Sequence, residues 1–246
     1  KVPTTYWCCV NCPGNPGAWK LHAVYHKEVK GHRKRGEDGG VGQQRNREIA
    51  EAQARIAAQT GDEYSELLAE GARYASQQDA RRAGKAYREA IALRPDEPTA
   101  YYNLGAVLAS SEHVVEAAQR FLEARERLLV GYEYEGWGRA TAWAFSMLAR
   151  EVCAEVAKPE WWNDEGLKAL SARVVRAAPD NGVARQMRAI VLSGHSSAWK
   201  AGPRSAAELK EAATHYERAA ALCPAPATKA QLADQAARCR SQAEAM

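Results

Sequence analysis

A helix-sized phrase that occurs twice is the feature that most constrains the fold. Residues 83–95 read AGKAYREAIALRP, and residues 212–224 read AATHYERAAALCP. Each copy has an Ala, an aromatic residue four positions later, a second Ala three positions after that, and a closing Leu and Pro. Steps of four and three place these side chains on one face of a helix, and the Pro ends it. The sequence therefore predicts a repeated helical unit rather than a single thick core.

The phrase belongs to a longer frame. With Pro95 as the last landmark of a 34-residue unit, the first unit starts at Tyr64 and the second starts at Pro98. The two units share a small residue and large residues in the first half, and small residues around an aromatic in the second half. In the first unit these are Gly71, Tyr74, Ala83, Tyr87 and Ala90, and in the second they are Tyr101, Leu104, Gly105, Leu108, Ala117, Phe121 and Ala124.

This frame resembles the tetratricopeptide repeat, which reads W-x2-L-G-x2-Y, then A-x3-F, then P. The resemblance covers residues 64–243 approximately, and it implies an all-α superhelix of stacked helical hairpins, in which the small residue sits where two helices cross. Glu70 and Leu129 depart from the Leu and Pro of the pattern. Because that Pro is missing, the second helix of unit two is predicted to run to Leu129 or Val130.

The third and fourth units are less regular. Residues 139–157 have the apolar period of one helix, with residues 165–181 as its partner and Asn163 or Asp164 as the N-cap. A fourth unit begins at 182–194, and an insertion at residues 195–205 delays its second helix.

The ends of the repeat region carry two further predicted helices. Residues 228–246 form a final helix with a polar face, which suits the end of a solenoid. Residues 43–61 form a helix before the first unit. A mostly irregular leader, residues 1–42, precedes this helix, and the repeat domain, residues 62–246, follows it.

The resemblance implies a concave groove, lined by the first helix of each unit, that holds a peptide or a partner helix. The groove candidates are Leu68, Ala72, Tyr102, Asn103, Arg185 and Arg188. Asn103 matches one position of the clamp with which some members of the family bind carboxylate tails. Leu68 and Ala72 stand where that clamp needs Lys and Asn, so an apolar ligand is expected instead.

Three tryptophans have two interpretations each. Trp161 and Trp162 are adjacent, so either one of them is exposed for binding or both pack under the irregular third unit, which we favour. Trp199, in the insertion, is either an exposed binding residue or a packed one.

The leader holds the excess positive charge. Residues 1–48 contain nine Lys or Arg and four acids, which gives +5, whereas the rest of the chain carries −1. The Cys and His residues in this stretch resemble either a two-Cys two-His finger or the closing half of a MYND finger, and the third interpretation is a leader without metal. The first set of zinc ligands is Cys9, Cys12, His26 and His32, and the second is Cys8, Cys12, His22 and His26. In the finger interpretation, an RNA backbone would meet Lys30, Arg33, Lys34 and Arg35.

The remaining signals favour a non-catalytic interaction scaffold, with an RNA-binding protein as the alternative. The chain has no Walker loop and no GxGxxG, HExxH or GxSxG motif, so an enzyme is not expected. No cofactor other than possible zinc is expected, and no apolar run is long enough to span a membrane. The cysteine spacing is poor for disulfides, which suits the cytoplasm or nucleus. The opening without Met suggests a piece of a longer protein or a processed product.

Overall fold

The computed structural model describes residues 39–128 and 134–246. Within these ranges the chain forms ten α-helices and one short 3-10 helix, and no strands. The fold is an all-α helical repeat, as predicted. The described residues belong to two compact units, here called unit A (residues 39–128) and unit B (residues 134–246).

Unit A contains five consecutive helices, each packed against the next. They are α1 (Gly39–Thr60), α2 (Glu63–Ser76), α3 (Ala80–Leu93), α4 (Pro98–Ser110) and α5 (Val114–Arg127). The predicted hairpins are α2–α3 and α4–α5, so the frame read from Tyr64 and Pro98 is confirmed. The last helix ends at Arg127 and Leu128 is extended, so the predicted extension to Leu129 or Val130 is wrong.

In each hairpin of unit A, a glycine of the first helix packs against an aromatic ring of the second helix. A Cβ atom on Gly71 would lie 2.4 Å from Cε1 of Tyr87, and one on Gly105 would lie 2.9 Å from Cδ1 of Phe121. Since any side chain at these two glycines would collide with the ring, only glycine lets α2 meet α3, and α4 meet α5, this closely.

Side chains also fix where α2 and α3 begin. Asp62 accepts a hydrogen bond from the backbone N–H of Ser65, and Asp79 accepts one from that of Arg82. Both satisfy amide groups that lack a partner within the helix. The hydrogen bonds from Ser65 also lower the pKa of the Asp62 carboxyl.

Unit B contains the other five helices. They are α6 (Glu135–Leu148), α7 (Asp164–Ala177), α8 (Gly182–Ser193), α9 (Ala206–Leu222) and α10 (Pro226–Glu244), with the 3-10 helix Glu151–Cys153 after α6. The second copy of the repeated phrase lies in α9, where Ala212, Tyr216 and Ala219 are buried against α8 and α10. Burial raises the pKa of Tyr216 to about 12.

The predicted single helix over residues 139–157 is wrong. Helix α6 ends at Leu148, Arg150 is extended, and a single 3-10 turn follows. This turn buries Cys153 and leaves Val152 66% exposed. Apolar spacing did not reveal the break because the α-helix and the 3-10 turn both direct Cys153 inwards.

Side chains cap two of the unit B helices, and the prediction of Asn163 or Asp164 as an N-cap is confirmed at Asn163. Asn163 caps α7 by accepting a hydrogen bond from the N–H of Gly166. Ser205 and Glu208 form a reciprocal capping box at the start of α9. Both helices that follow irregular segments therefore begin at a side chain that ties the loop to the helix.

Candidate partner-binding groove

The candidate groove in unit A lies along α2 and α4, the first helices of the two hairpins. These helices contact one another directly, and each also packs on the second helix of its own hairpin. A ligand lying across α2 and α4 would therefore meet side chains from both repeats.

The exposed side of α4 carries no charge. The helix has no charged residue in its thirteen positions, although 26% of the whole chain is charged. Thr99, Ala106 and Ser110 are exposed on it, and Tyr102 and Asn103 are partly exposed between them. Residues at these spacings form one stripe along the helix. The stripe is suited to an uncharged or apolar partner surface.

Two of the predicted groove residues are partly exposed and held by packing. Leu68 is half-buried and packs against the cluster of Tyr64, Ala90 and Ala100. The Tyr102 ring lies 5.5 Å from the Phe121 ring, centroid to centroid. Since neighbouring side chains already orient both residues, they would lose little conformational freedom on binding a partner.

Asn103 carries an unsatisfied amide. Its Nδ2 atom is enclosed and has no hydrogen-bond partner among the residues that the structure describes. An enclosed donor without a partner costs about 1–3 kcal/mol.

Ala72 is not part of the open surface. It is 3% exposed, although its helix position led the sequence to predict it in the groove. Its methyl group fills space between packed helices, so it has no surface to offer to a ligand.

The structure does not place Arg185 and Arg188 in a groove. Arg188 donates to the Glu211 carboxylate of α9 at 2.9 and 3.0 Å, and to the Lys168 carbonyl of α7 at 2.8 Å. The Nε of Arg185 donates to the Pro179 carbonyl at 2.8 Å. Arg188 therefore holds α8 to α7 and α9, and Arg185 is bonded to the turn before α8. Their assignment to a ligand surface stays a prediction.

His215 lies beside these arginines on α9. Its Nδ1 is 3.4 Å from Nη1 of Arg185, and its Nε2 is 3.6 Å from the Glu211 carboxylate. Burial, together with the positive charge of Arg185, lowers the pKa of His215 to about 4. The imidazole is therefore neutral at physiological pH and belongs to the packing of α8 on α9.

The tryptophans of unit B form a packed aromatic cluster. The Phe145 ring of α6 lies 5.6 Å from the Trp162 ring and 6.0 Å from the Trp199 ring. Trp162 is 7% exposed and Trp199 is 8% exposed, whereas Trp161 is half-buried. Of the two interpretations of Trp199, packing is the one observed, so it is not a surface for a partner.

A charged centre that sequence reasoning missed holds the insertion. Asp164, at the start of α7, accepts hydrogen bonds from Arg204 at 2.5 and 2.9 Å and from the Trp199 indole at 3.2 Å. Lys168 lies 3.3 Å from the Asp164 carboxylate and 2.6 Å from that of Glu208. These contacts, the Arg204 hydrogen bond first, hold the pKa of the Asp164 carboxyl well below its usual range. The pKa of Glu208 is lowered to about 2, chiefly by Lys168.

The sequence predicted only part of this charged centre. Asp164 was a candidate N-cap, but nothing in the spacing linked it to Arg204, forty residues away. Such a pair becomes visible only after α7 and the insertion have been placed in space.

The zinc and RNA predictions lie outside the described residues. Both proposed ligand sets, and the basic residues Lys30, Arg33, Lys34 and Arg35, fall within residues 1–38. Over the ranges that the structure describes, no group of His, Cys, Asp or Glu is arranged to hold a metal ion. Among the helices of those ranges, none is both long and apolar enough to cross a membrane.

Comparison with known proteins supports the class that the hairpins define. Residues 71–111, from Gly71 in α2 through α4, match the family model described as TPR repeat. Together with the two hairpins of unit A, this match supports a tetratricopeptide repeat in residues 71–111. The crystal structure of YrrB, described as a TPR protein with an unusual peptide-binding site, is 17% identical and has a TM-score of 0.43. That match covers 78% of this chain and 94% of YrrB. No curated protein matches the sequence.

Proposed function

We propose that the chain is a non-catalytic scaffold that binds a peptide or a helix along α2 and α4 of unit A. The observation that carries this proposal is the uncharged stripe of α4, on which Tyr102 and Asn103 are partly exposed. Leu68 of α2 is also partly exposed, and it packs against the cluster that includes Ala100 of α4. An aromatic ring and an aliphatic side chain would bury apolar surface of the ligand. In the proposed complex the Asn103 side chain turns outwards, and its amide then donates to a ligand carbonyl and gains the hydrogen bond that it lacks in the free chain.

The proposed ligand is apolar rather than acidic. A carboxylate would have to give up its hydration, and it would find no cation on α4 to offset that loss. A hydrophobic peptide or the apolar face of an amphipathic helix suits the stripe better. RNA is not proposed, because its predicted contacts lie outside the described residues.

The proposal can be tested with a displayed random-peptide library selected on the full chain. We expect enrichment of apolar sequences, and a dissociation constant that rises about tenfold in Tyr102→Ala and about threefold to tenfold in Asn103→Ala. Val115→Ala, at a residue on α5 that is 40% exposed, is the matched control and should leave affinity unchanged. Selected peptides that bind both variants as tightly as the unsubstituted chain would rule out this groove.

A further inference from the structure

Helix α1 exposes two isoleucines at positions that the rest of unit A buries. One repeat of about 34 residues before Ala83 and Ala90 are Ile49 and Ile56. Ala83 and Ala90 are both 0% exposed, whereas Ile49 is 42% exposed and Ile56 is 52% exposed. Helix α1 therefore has the register of a second helix of a hairpin, and among the described residues no first helix covers its inner face.

Single exposed apolar residues are ordinary on a protein surface. Here, however, the two exposed isoleucines are larger than the buried alanines at the equivalent positions of the next repeat. Both isoleucines also lie on the face that, in the two complete hairpins, packs against a first helix. Seven residues separate them, which is two helical turns, so their side chains project in nearly the same direction about 10 Å apart. The face is therefore a short strip along α1, with the two isoleucines at its ends and the partly exposed Gln53 between them.

We propose that this strip binds α1 of a second copy of the chain, in an antiparallel pair about a twofold axis near Gln53. In this arrangement Ile49 of each chain lies opposite Ile56 of the other, so one strip is complementary to itself, as an isologous interface requires. No different surface has to be supplied by another protein.

The charges beside the strip also complement each other in this pairing. Glu48 and Arg55 are exposed, and they too are seven residues apart, on one flank of the isoleucines. Antiparallel pairing about the same axis brings Glu48 of each chain close to Arg55 of the other, twice per dimer. Opposite charges at such flanking positions favour one partner and one orientation of paired helices.

The apolar strip is short, so the interface lies at the low end of the size range for specific complexes. We therefore expect a weak dimer, populated at high micromolar concentration and dissociated at low micromolar concentration. The peptide groove on α2 and α4 does not take part in this contact, so the dimer and the proposed function succeed or fail separately.

Sedimentation equilibrium of the full chain, from low micromolar to millimolar concentration, tests the pairing. We expect a reversible monomer–dimer equilibrium that Ile49→Ser and Ile56→Ser each weaken at least tenfold. Leu93→Ser, at an apolar residue that is 46% exposed on α3, is the matched control and should not change it. Circular dichroism shows whether each variant keeps its helix content.

Charge reversal tests the orientation. Glu48→Arg and Arg55→Glu should each weaken the dimer, because each places like charges opposite one another. The double variant, with both reversals in one chain, should restore the affinity, because the arginine introduced in each chain again faces the glutamate introduced in the other. A chain that stays monomeric at millimolar concentration, or a dimer that neither isoleucine substitution weakens, would overturn the proposal. So would a double variant that stays as weak as the single ones.

Discussion

The Ala, Tyr and Ala that the two copies of the repeated phrase share are all buried, but the two copies are held in place differently. In unit A, Tyr87 packs directly on Gly71 of the preceding helix, and a turn of three residues joins the two helices. In unit B, an insertion separates α9 from α8, and the ion pairs of Asp164 with Arg204 tie that insertion to α7. A short turn allows the following helix only a few positions, so local packing is enough to fix that helix. A longer connection needs side chains of its own to fix its path.

The largest effect is expected from Trp199→Ala in unit B. This substitution removes the largest side chain of the insertion, which is 8% exposed and packs on Phe145. We expect a loss of about 3 kcal/mol in the free energy of unfolding. Hydrogen exchange followed by mass spectrometry should show lost protection in α6 and α7 and unchanged protection in α2 to α5. The control, Trp161→Ala at a half-buried ring, should cost clearly less; equal losses would contradict the role given to Trp199.

Asp164→Ala should have the next largest effect. It leaves Arg204, whose side chain is 8% exposed, without its carboxylate partner, and a buried unpaired cation is costly. We expect destabilisation of about 2–3 kcal/mol, measured by denaturant unfolding. Asp180→Ala, in an exposed turn of the same unit, should change stability by less than about 0.5 kcal/mol. Equal stability of Asp164→Ala and the unsubstituted chain would show that the ion pairs do not hold the insertion.

Acid should weaken unit B through the same carboxylates. The pKa values of Asp164 and Glu208 are lowered in the fold, so each contributes stability above the pKa of the unfolded group. That contribution is lost as pH falls from about 4 through the lowered values, and we expect it to total about 2 kcal/mol at most. Denaturant unfolding across this pH window measures the loss. Asp164→Asn should make the pH dependence shallower, and an unchanged slope would contradict the assignment.

Gly71→Ala should have the smallest net effect on stability, and it tests unit A. The added Cβ would collide with the Tyr87 ring, which costs about 1–3 kcal/mol. Alanine regains about 1 kcal/mol of helix propensity, so the net loss is about 1 kcal/mol. Gly84→Ala is the matched control, because its Cβ would meet the mobile end of Arg88 at 3.2 Å. Thermal unfolding should show no loss for this control, and similar losses for both variants would argue against close packing at Gly71.

The same contrast explains how much the sequence could predict. The frame read from Tyr64 and Pro98 gave the unit A helices within a few residues, because the contacts there join residues about one repeat apart or less. In unit B the third hairpin was misread, since the apolar period through Cys153 does not distinguish an α-helix from a 3-10 turn. The ion pairs of Asp164 link residues that are not related by the repeat, so the repeat pattern could not predict them.

The candidate groove was predicted in part for the same reason. Leu68, Tyr102 and Asn103 follow from repeat register, and the structure finds all three partly exposed. The burial of Ala72 could be predicted only by knowing how tightly the helices pack. The hydrogen bonds of the two arginines could be predicted only by knowing which neighbour accepts from each guanidinium. Register places a residue on a helix face, but the packed neighbours decide whether that face remains open.

The most direct test of the groove is photo-crosslinking of a library-selected peptide to the full chain. A benzophenone side chain would replace Ala106, which is exposed on the stripe of α4, or Ala92, which is exposed on α3. The account predicts that the Ala106 variant crosslinks to the peptide and that an excess of unlabelled peptide abolishes the product, whereas the Ala92 variant gives none. Crosslinking at Ala92 and none at Ala106 would contradict it.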